Sequence, residues 1–159
     1  MLTLAKEARQ RGWWQSYSSD AVPEWFRVYL GLEAAAAAIH EYAAELVPGL
    51  FQTADYYRAF LQTAPVADDE ETIERKIAVR IERQDRLTAA DAPGCWAVLN
   101  EAVIRRMVGG AQVMRTQLQH IVELAQDPRL NVQVLPYRAG AHPAVLGEAT
   151  RSRALSGHV

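Results

Sequence analysis

The sequence predicts an α+β domain, mostly helical, with a small sheet packed on helices. Three observations carry that expectation. Residues 130–135, Leu-Asn-Val-Gln-Val-Leu, alternate apolar and polar with a period of two, as a half-buried strand requires. Residues 95–99, Cys-Trp-Ala-Val-Leu, form a short apolar run between an Ala-Pro-Gly break and Asn100-Glu101, the pattern of a buried strand leading into a helix. Around these, apolar residues recur at helical spacing, most cleanly at Met114, Leu118, Ile121, Val122 and Ala125.

Taken in order, residues 2–11 read as a short charged helix ended by Gly12. Trp13, Trp14 and Tyr17 follow, large side chains with a polar edge that suit core, interface or ligand wall. Pro23 suits the first position of a helix whose wide apolar face holds Trp25, Phe26, Tyr29, Leu30 and Leu32. Residues 34–47 are ambiguous: the alanines favour helix, whereas Ile39, Tyr42 and the Leu46-Val47-Pro48 ending also suit a strand. Pro48-Gly49 then reverses or kinks the chain, because proline fixes φ and glycine accepts positive φ. Thr53 stands where an N-cap belongs, ahead of a helix with Tyr56, Tyr57, Phe60 and Leu61 on its buried side.

Asp68-Asp69-Glu70-Glu71 opens a longer helix, acidic residues sitting where the helix dipole favours them. Its apolar stripe is Ile73, Ile77, Ile81 and Leu87. The mixed charges between them, Arg80 and Arg83 included, read as a solvated face. After the strand at 95–99, a helix runs through Ile104 and Met107 to Gly109-Gly110, and the next ends at Asp127-Pro128. Residues 144–159 lack an apolar period and read as an irregular tail after a domain spanning 1–143.

Composition narrows the function classes. A 159-residue chain, half of it hydrophobic, is long enough for one globular core. A net charge of -2 advertises neither nucleic acid nor an anionic membrane. The single cysteine, Cys95, permits no internal disulfide and fits a cytoplasmic protein; it reads as a buried strand residue, with no local base to make it a nucleophile. The apolar runs are too short to span a bilayer. His40, His120, His142 and His158 share no ligand spacing, so neither a metal nor a cofactor is implied. His142 lies in a loop after Gly140-Ala141 and reads as a turn residue or a pocket residue. Asn100 and Glu101 fall where a strand ends and a helix starts, a position where sites open at sheet edges. Arg105 and Arg106 suit an anionic ligand or an acidic partner; the plainer reading is capping and surface charge.

Several motifs together carry a resemblance. They are residues 8–14, Ala-Arg-Gln-Arg-Gly-Trp-Trp; residues 25–33; residues 42–56 with the core Val-Pro-Gly-Leu-x-Gln-Thr; residues 80–87; residues 96–110; and residues 128–142 with Val-Gln-Val-Leu-Pro-Tyr and Gly-Ala-His. In this order, over residues 3–143, the chain resembles the antitoxin-like C-terminal domain of actinobacterial Xre-type helix-turn-helix regulators. The resemblance implies a sensory and dimerisation role, with DNA contacted only through an N-terminal domain that this chain lacks. It also leads us to expect a departure from the family after His142 and a sheet missing strands, which would leave the edge of residues 130–135 open to a second chain.

The expected partner is a small-molecule effector or a small neighbouring protein, with a homodimer as the assembly. The aromatic content and the polar residues above define the candidate ligand site: Trp13, Trp14, Tyr17, Tyr42, Gln52, Asn100, Glu101, Arg105, Arg106 and His142. The alternative is an enzyme acting on a bound metabolite, with Glu41, Tyr42, Glu101 and His142 as its acid/base residues.

Overall fold

The computed structural model describes residues 12–66, 68–90, 92–142 and 150–153, the last four by their backbone alone. The predicted helix at 2–11 lies outside them. A 3-10 turn, Trp13–Ser16, leads to α1 (Glu24–Ala34) and β1 (Ala38–Ala43). Another, Gly49–Phe51, precedes α2 (Ala54–Leu61), α3 (Glu70–Thr88) and β2 (Gly94–Asn100). Then come α4 (Glu101–Arg105), α5 (Gly110–Leu124), β3 (Leu130–Leu135), a 3-10 turn Tyr137–Ala139 and β4 (Thr150–Arg153).

The sheet order is β3-β2-β1-β4. The first three strands are parallel, with Ile39 opposite Cys95 and Cys95 opposite Leu130, while β4 runs antiparallel to β1. Thr150–Arg153 is therefore a strand where an irregular tail was expected. The ambiguity at 34–47 resolves as strand. Ile39 and Ala43 face the core from β1, and pairing with two neighbours outweighs the local helical preference of alanine.

One core joins the helices to one face of the sheet. Ile39, Ala43, Cys95, Ala97, Leu99 and Leu130 from the strands meet Tyr56, Leu87, Val103, Met114 and Ile121 from α2 to α5. Two successive crossovers in the same direction along a parallel sheet put their helices on the same side. The opposite face carries His40, Trp96, Asn131 and Gln133, all exposed. Full burial of side chains such as Phe51 and Tyr56 contributes about 1.5–3 kcal/mol each.

Caps follow the sequence closely. Thr53 Oγ1 accepts from Tyr56 N at 3.3 Å, and Asp69 Oδ1 accepts from Thr72 N at 2.7 Å. The faces follow it less well. On α1 only Leu30, Gly31 and Glu33 are buried, while Trp25 is 73% exposed. On α2 Tyr56 alone is buried, and on α3 Val79 and Arg83 replace Ile81. Helix α4 ends at Arg105, leaving Met107 exposed beyond it.

The reason for these shifts on α1 and α3 is ionic. Arg83, expected on a solvated face, lies buried against Glu33 with Nε 2.7 Å from Oε1 and Nη2 2.5 Å from Oε2. Burial alone would lower the Arg83 pKa, but the Glu33 carboxylate reverses that and holds it above the ordinary arginine value. A second cluster has Trp14, Val22, Leu30 and Val79 at its centre with Trp13, Tyr17 and Phe26 packed on it, and the Arg83 guanidinium lies 5.6 Å from the centre of the Phe26 ring.

Candidate ligand site at the strand ends

The loop between β1 and α2 is built around buried side-chain amides. A loop under other elements must have its backbone polar groups satisfied, and here side chains do it. Val47 N–H donates to Tyr56 Oη at 3.2 Å, and Val47 O accepts from Gln52 Nε2 at 2.7 Å. Gln117, fully buried on α5, accepts from Thr53 N at 2.7 Å and donates to Phe51 O at 2.6 Å. Gln84 on α3 donates to Gly49 O at 3.1 Å and Gln52 O at 2.6 Å. The Val-Pro-Gly-Leu-Phe-Gln-Thr run is thus a fixed wall at the C-terminal end of β1. Gly49 is closely approached by arginine tips: a Cβ there would stand 1.9 Å from Arg80 Nη1, at the end of a long side chain. The Arg80 guanidinium lies 4.0 Å from the centre of the Tyr57 ring.

Beside this wall is a pocket of about 220 Å³, lined by Glu41, Tyr42, Glu45, Pro48 and Gln52 among others. Tyr42 Oη accepts from Asn100 Nδ2 at 3.2 Å and lies 3.4 Å from His142 Nε2, with the two rings packed edge to face. Asn100 Oδ1 accepts from Ala102 N at 2.9 Å, so the same side chain caps α4. Glu101 Oε2 accepts from Tyr137 N at 2.7 Å and Oε1 from Arg105 Nε at 2.5 Å. These contacts, the Tyr137 N–H first, hold the Glu101 carboxyl below its usual range. Arg106 pairs with Glu45 across the loop. The ends of β1, β2 and β3 are thereby tied together at the edge where open parallel sheets take ligands.

Of the residues expected in a site, Tyr42, Asn100 and His142 are in mutual contact, Gln52 shares the pocket wall with Tyr42, and Glu101 lies next in chain to Asn100. Arg105 and Arg106 are engaged by Glu101 and Glu45, which balances the charge that suggested an anion. Trp13, Trp14 and Tyr17 belong to the other cluster, where Trp13 packs edge-on against both neighbours and Tyr17 Oη donates to Glu82 Oε2 at 2.6 Å. Cys95 is buried, and its thiol is pushed up to about 12 by loss of solvation. Sequence reasoning missed Gln117, Gln84 and Tyr56 as loop clamps. Gln117 carried a signal: it falls three residues after Met114 and four before Ile121, on the buried stripe itself.

A larger, open groove of about 620 Å³ runs along α5 between Met107 and Val122; its exposed lining is mostly apolar, with Arg105, Arg115, Gln119 and Glu123 among its residues. Among the described residues no group of three His, Cys, Asp or Glu is placed to hold a metal, and no helix is long and apolar enough to cross a membrane.

The chain is an α+β domain with a pocket and a Tyr42–Asn100–His142 cluster at the carboxyl ends of its parallel strands. Residues 26–155 match the family described as domain of unknown function DUF5753, and the chain belongs to it. The match starts beyond the Trp13-Trp14 segment and extends past His142 through β4, into the segment where a departure from the family was expected. No curated protein and no solved structure matches the chain.

Proposed function

We propose that this domain binds a small-molecule effector or a small protein partner at the strand-end site, acting as the sensing half of a transcriptional regulator. The observation that carries the binding reading is the convergence of Tyr42, Asn100 and His142 beside a preformed pocket whose far wall is pinned by three glutamines. A pinned wall is pre-organised, so little ordering cost accompanies binding. The regulator role, with a helix-turn-helix partner domain and an actinobacterial context, rests on the motif resemblance.

The geometry favours binding over catalysis. Tyr42 and His142 touch each other, and both Glu101 oxygens are engaged by Arg105 and the Tyr137 N–H. A base needs an open lone pair within reach of the proton it removes. Native mass spectrometry of the protein purified from its own host tests the reading. The expected result is a bound small molecule or a stoichiometric small protein, lost on combining Tyr42→Phe with His142→Ala. No bound species, together with turnover of a candidate metabolite, overturns it.

A further inference from the structure

Among the described residues β3 is the outer strand of the sheet on the β2 side, and its own sequence has none of the features that keep an edge from pairing. Leu130–Leu135 contains no charge, no proline and no glycine, and pairs with β2 residue for residue without a bulge. Edges left this way are templates for another strand. The pattern of the strand says which one. Leu130, Val132 and Val134 lie on the helix-covered face, opposite Cys95, Ala97 and Leu99, while Asn131 and Gln133 lie on the open face. Read backwards from Val134 to Leu130 the order of apolar and amide residues is unchanged, so an antiparallel copy of the strand meets it like against like.

We infer that β3 pairs antiparallel with β3 of a second copy, about a two-fold axis at Val132, joining two sheets into one. In this register Leu130 faces Val134 of the other copy, Val132 faces Val132, and Asn131 faces Gln133. A shift by one residue sets Val132 against Gln133, or Asn131 against Val132, and so opposes the two faces of the strand, which the period of two forbids. A shift by two, centred on Gln133, sets Asn131 against Leu135. The chosen register alone matches like with like over five consecutive residues; centring on Asn131 also matches, but keeps only residues 130–132 of the strand paired. It also covers Val134, which is 47% exposed although it sits on the helix-covered face. No like charges meet, because the strand has none. An isologous contact of this kind closes at two copies and leaves no further edge on that side.

The inference deepens the dimerisation expected of a regulator's sensing half, and its test is independent of ligand. Size-exclusion chromatography with light scattering on the full chain is expected to give a dimer, and Val134→Lys, at an exposed position, a monomer with an unchanged circular dichroism spectrum. Disulfide trapping reads the register: Asn131→Cys mixed with Gln133→Cys is expected to cross-link under mild oxidation, while neither variant cross-links alone. A monomeric wild type overturns the inference, and so does a dimer that survives Val134→Lys. Self-linking of Gln133→Cys overturns the register. Effector capture by Tyr42 and His142 is read separately by mass and stands or falls without reference to these results.

Discussion

The Arg83 guanidinium grips the Glu33 carboxylate through two hydrogen bonds, of 2.7 and 2.5 Å, with both residues about 5% exposed or less. The pair locks α1 to α3, and Tyr29 Oη adds a third contact, accepting from Arg83 Nη2 at 3.2 Å. Removing one partner leaves a buried charge uncompensated, whereas removing both leaves only a packing problem. Glu33→Ala is expected to cost about 3–5 kcal/mol in urea unfolding, while Glu33→Met with Arg83→Met together cost far less. Equal losses in the single and double variants would show that the pair is not the linkage.

Gln117 supports the loop that walls the pocket. Gln117→Leu keeps the volume but strands Thr53 N–H and Phe51 C=O, two backbone groups under α5. The expected loss is about 2–4 kcal/mol, from two buried groups left without partners. Hydrogen exchange is expected to rise first at residues 47–53, the segment the side chain holds.

Gly109 caps α5 at φ +68°, where a Cβ would stand 2.7 Å from Ala59 Cβ. Gly109→Ala combines left-handed strain with a clash against α2, so it is expected to destabilise by about 2 kcal/mol, to be read from the denaturant midpoint. Gly110, also at positive φ, has open space around its Cβ direction. Gly110→Ala is expected to cost less.

Alkaline pH is expected to weaken the fold. Burial pushes the Cys95 thiol up to about 12, and the hydrogen bond to Glu82 pushes the Tyr17 hydroxyl to about 12. Both groups are held in the protonated form by the fold, so the unfolded chain releases their protons first. Their contribution is complete below the unfolded values, about 8.5 for cysteine and about 10 for tyrosine, and is lost as pH rises toward 12. Thermal melts between pH 8 and 11 should fall steadily. Replacing Cys95 by alanine should flatten the early part of that fall, and the native thiol should resist a disulfide reagent at pH 8 until the protein unfolds.

Much of the fold was legible because it depends on short-range chemistry. The period of two in residues 130–135, the caps at Thr53 and Asp69, and the strand-to-helix junction at Asn100-Glu101 are written in neighbouring residues. Part of the site was legible for the same reason. Asn100 falls at a strand end, His142 in a loop rich in small residues, and Gln52 in a marked turn. What could not be read was which of these meet. Tyr42 and His142 are a hundred residues apart in the chain, and their contact exists only because β1 and the turn after β3 end on one edge of the sheet.

The sequence by itself determined most element types outside residues 34–47 and 150–153, the cap at Thr53, the sharp turn at Pro48-Gly49 and the buried, unreactive place of Cys95. Each follows from local dihedral preference, periodicity or the solvation of one group. Tertiary structure alone decided that the three long strands run parallel with helices on one side, that Arg83 goes inside with Glu33 instead of facing water, that Thr150–Arg153 joins the sheet, and that Trp13 and Trp14 pack far along the chain from Tyr42 in a cluster of their own. The physical reason is common to all four. A charged or aromatic side chain is stable outside or inside according to what faces it, and a strand is placed by what it pairs with. Those partners lie tens of residues away, where no local pattern records them.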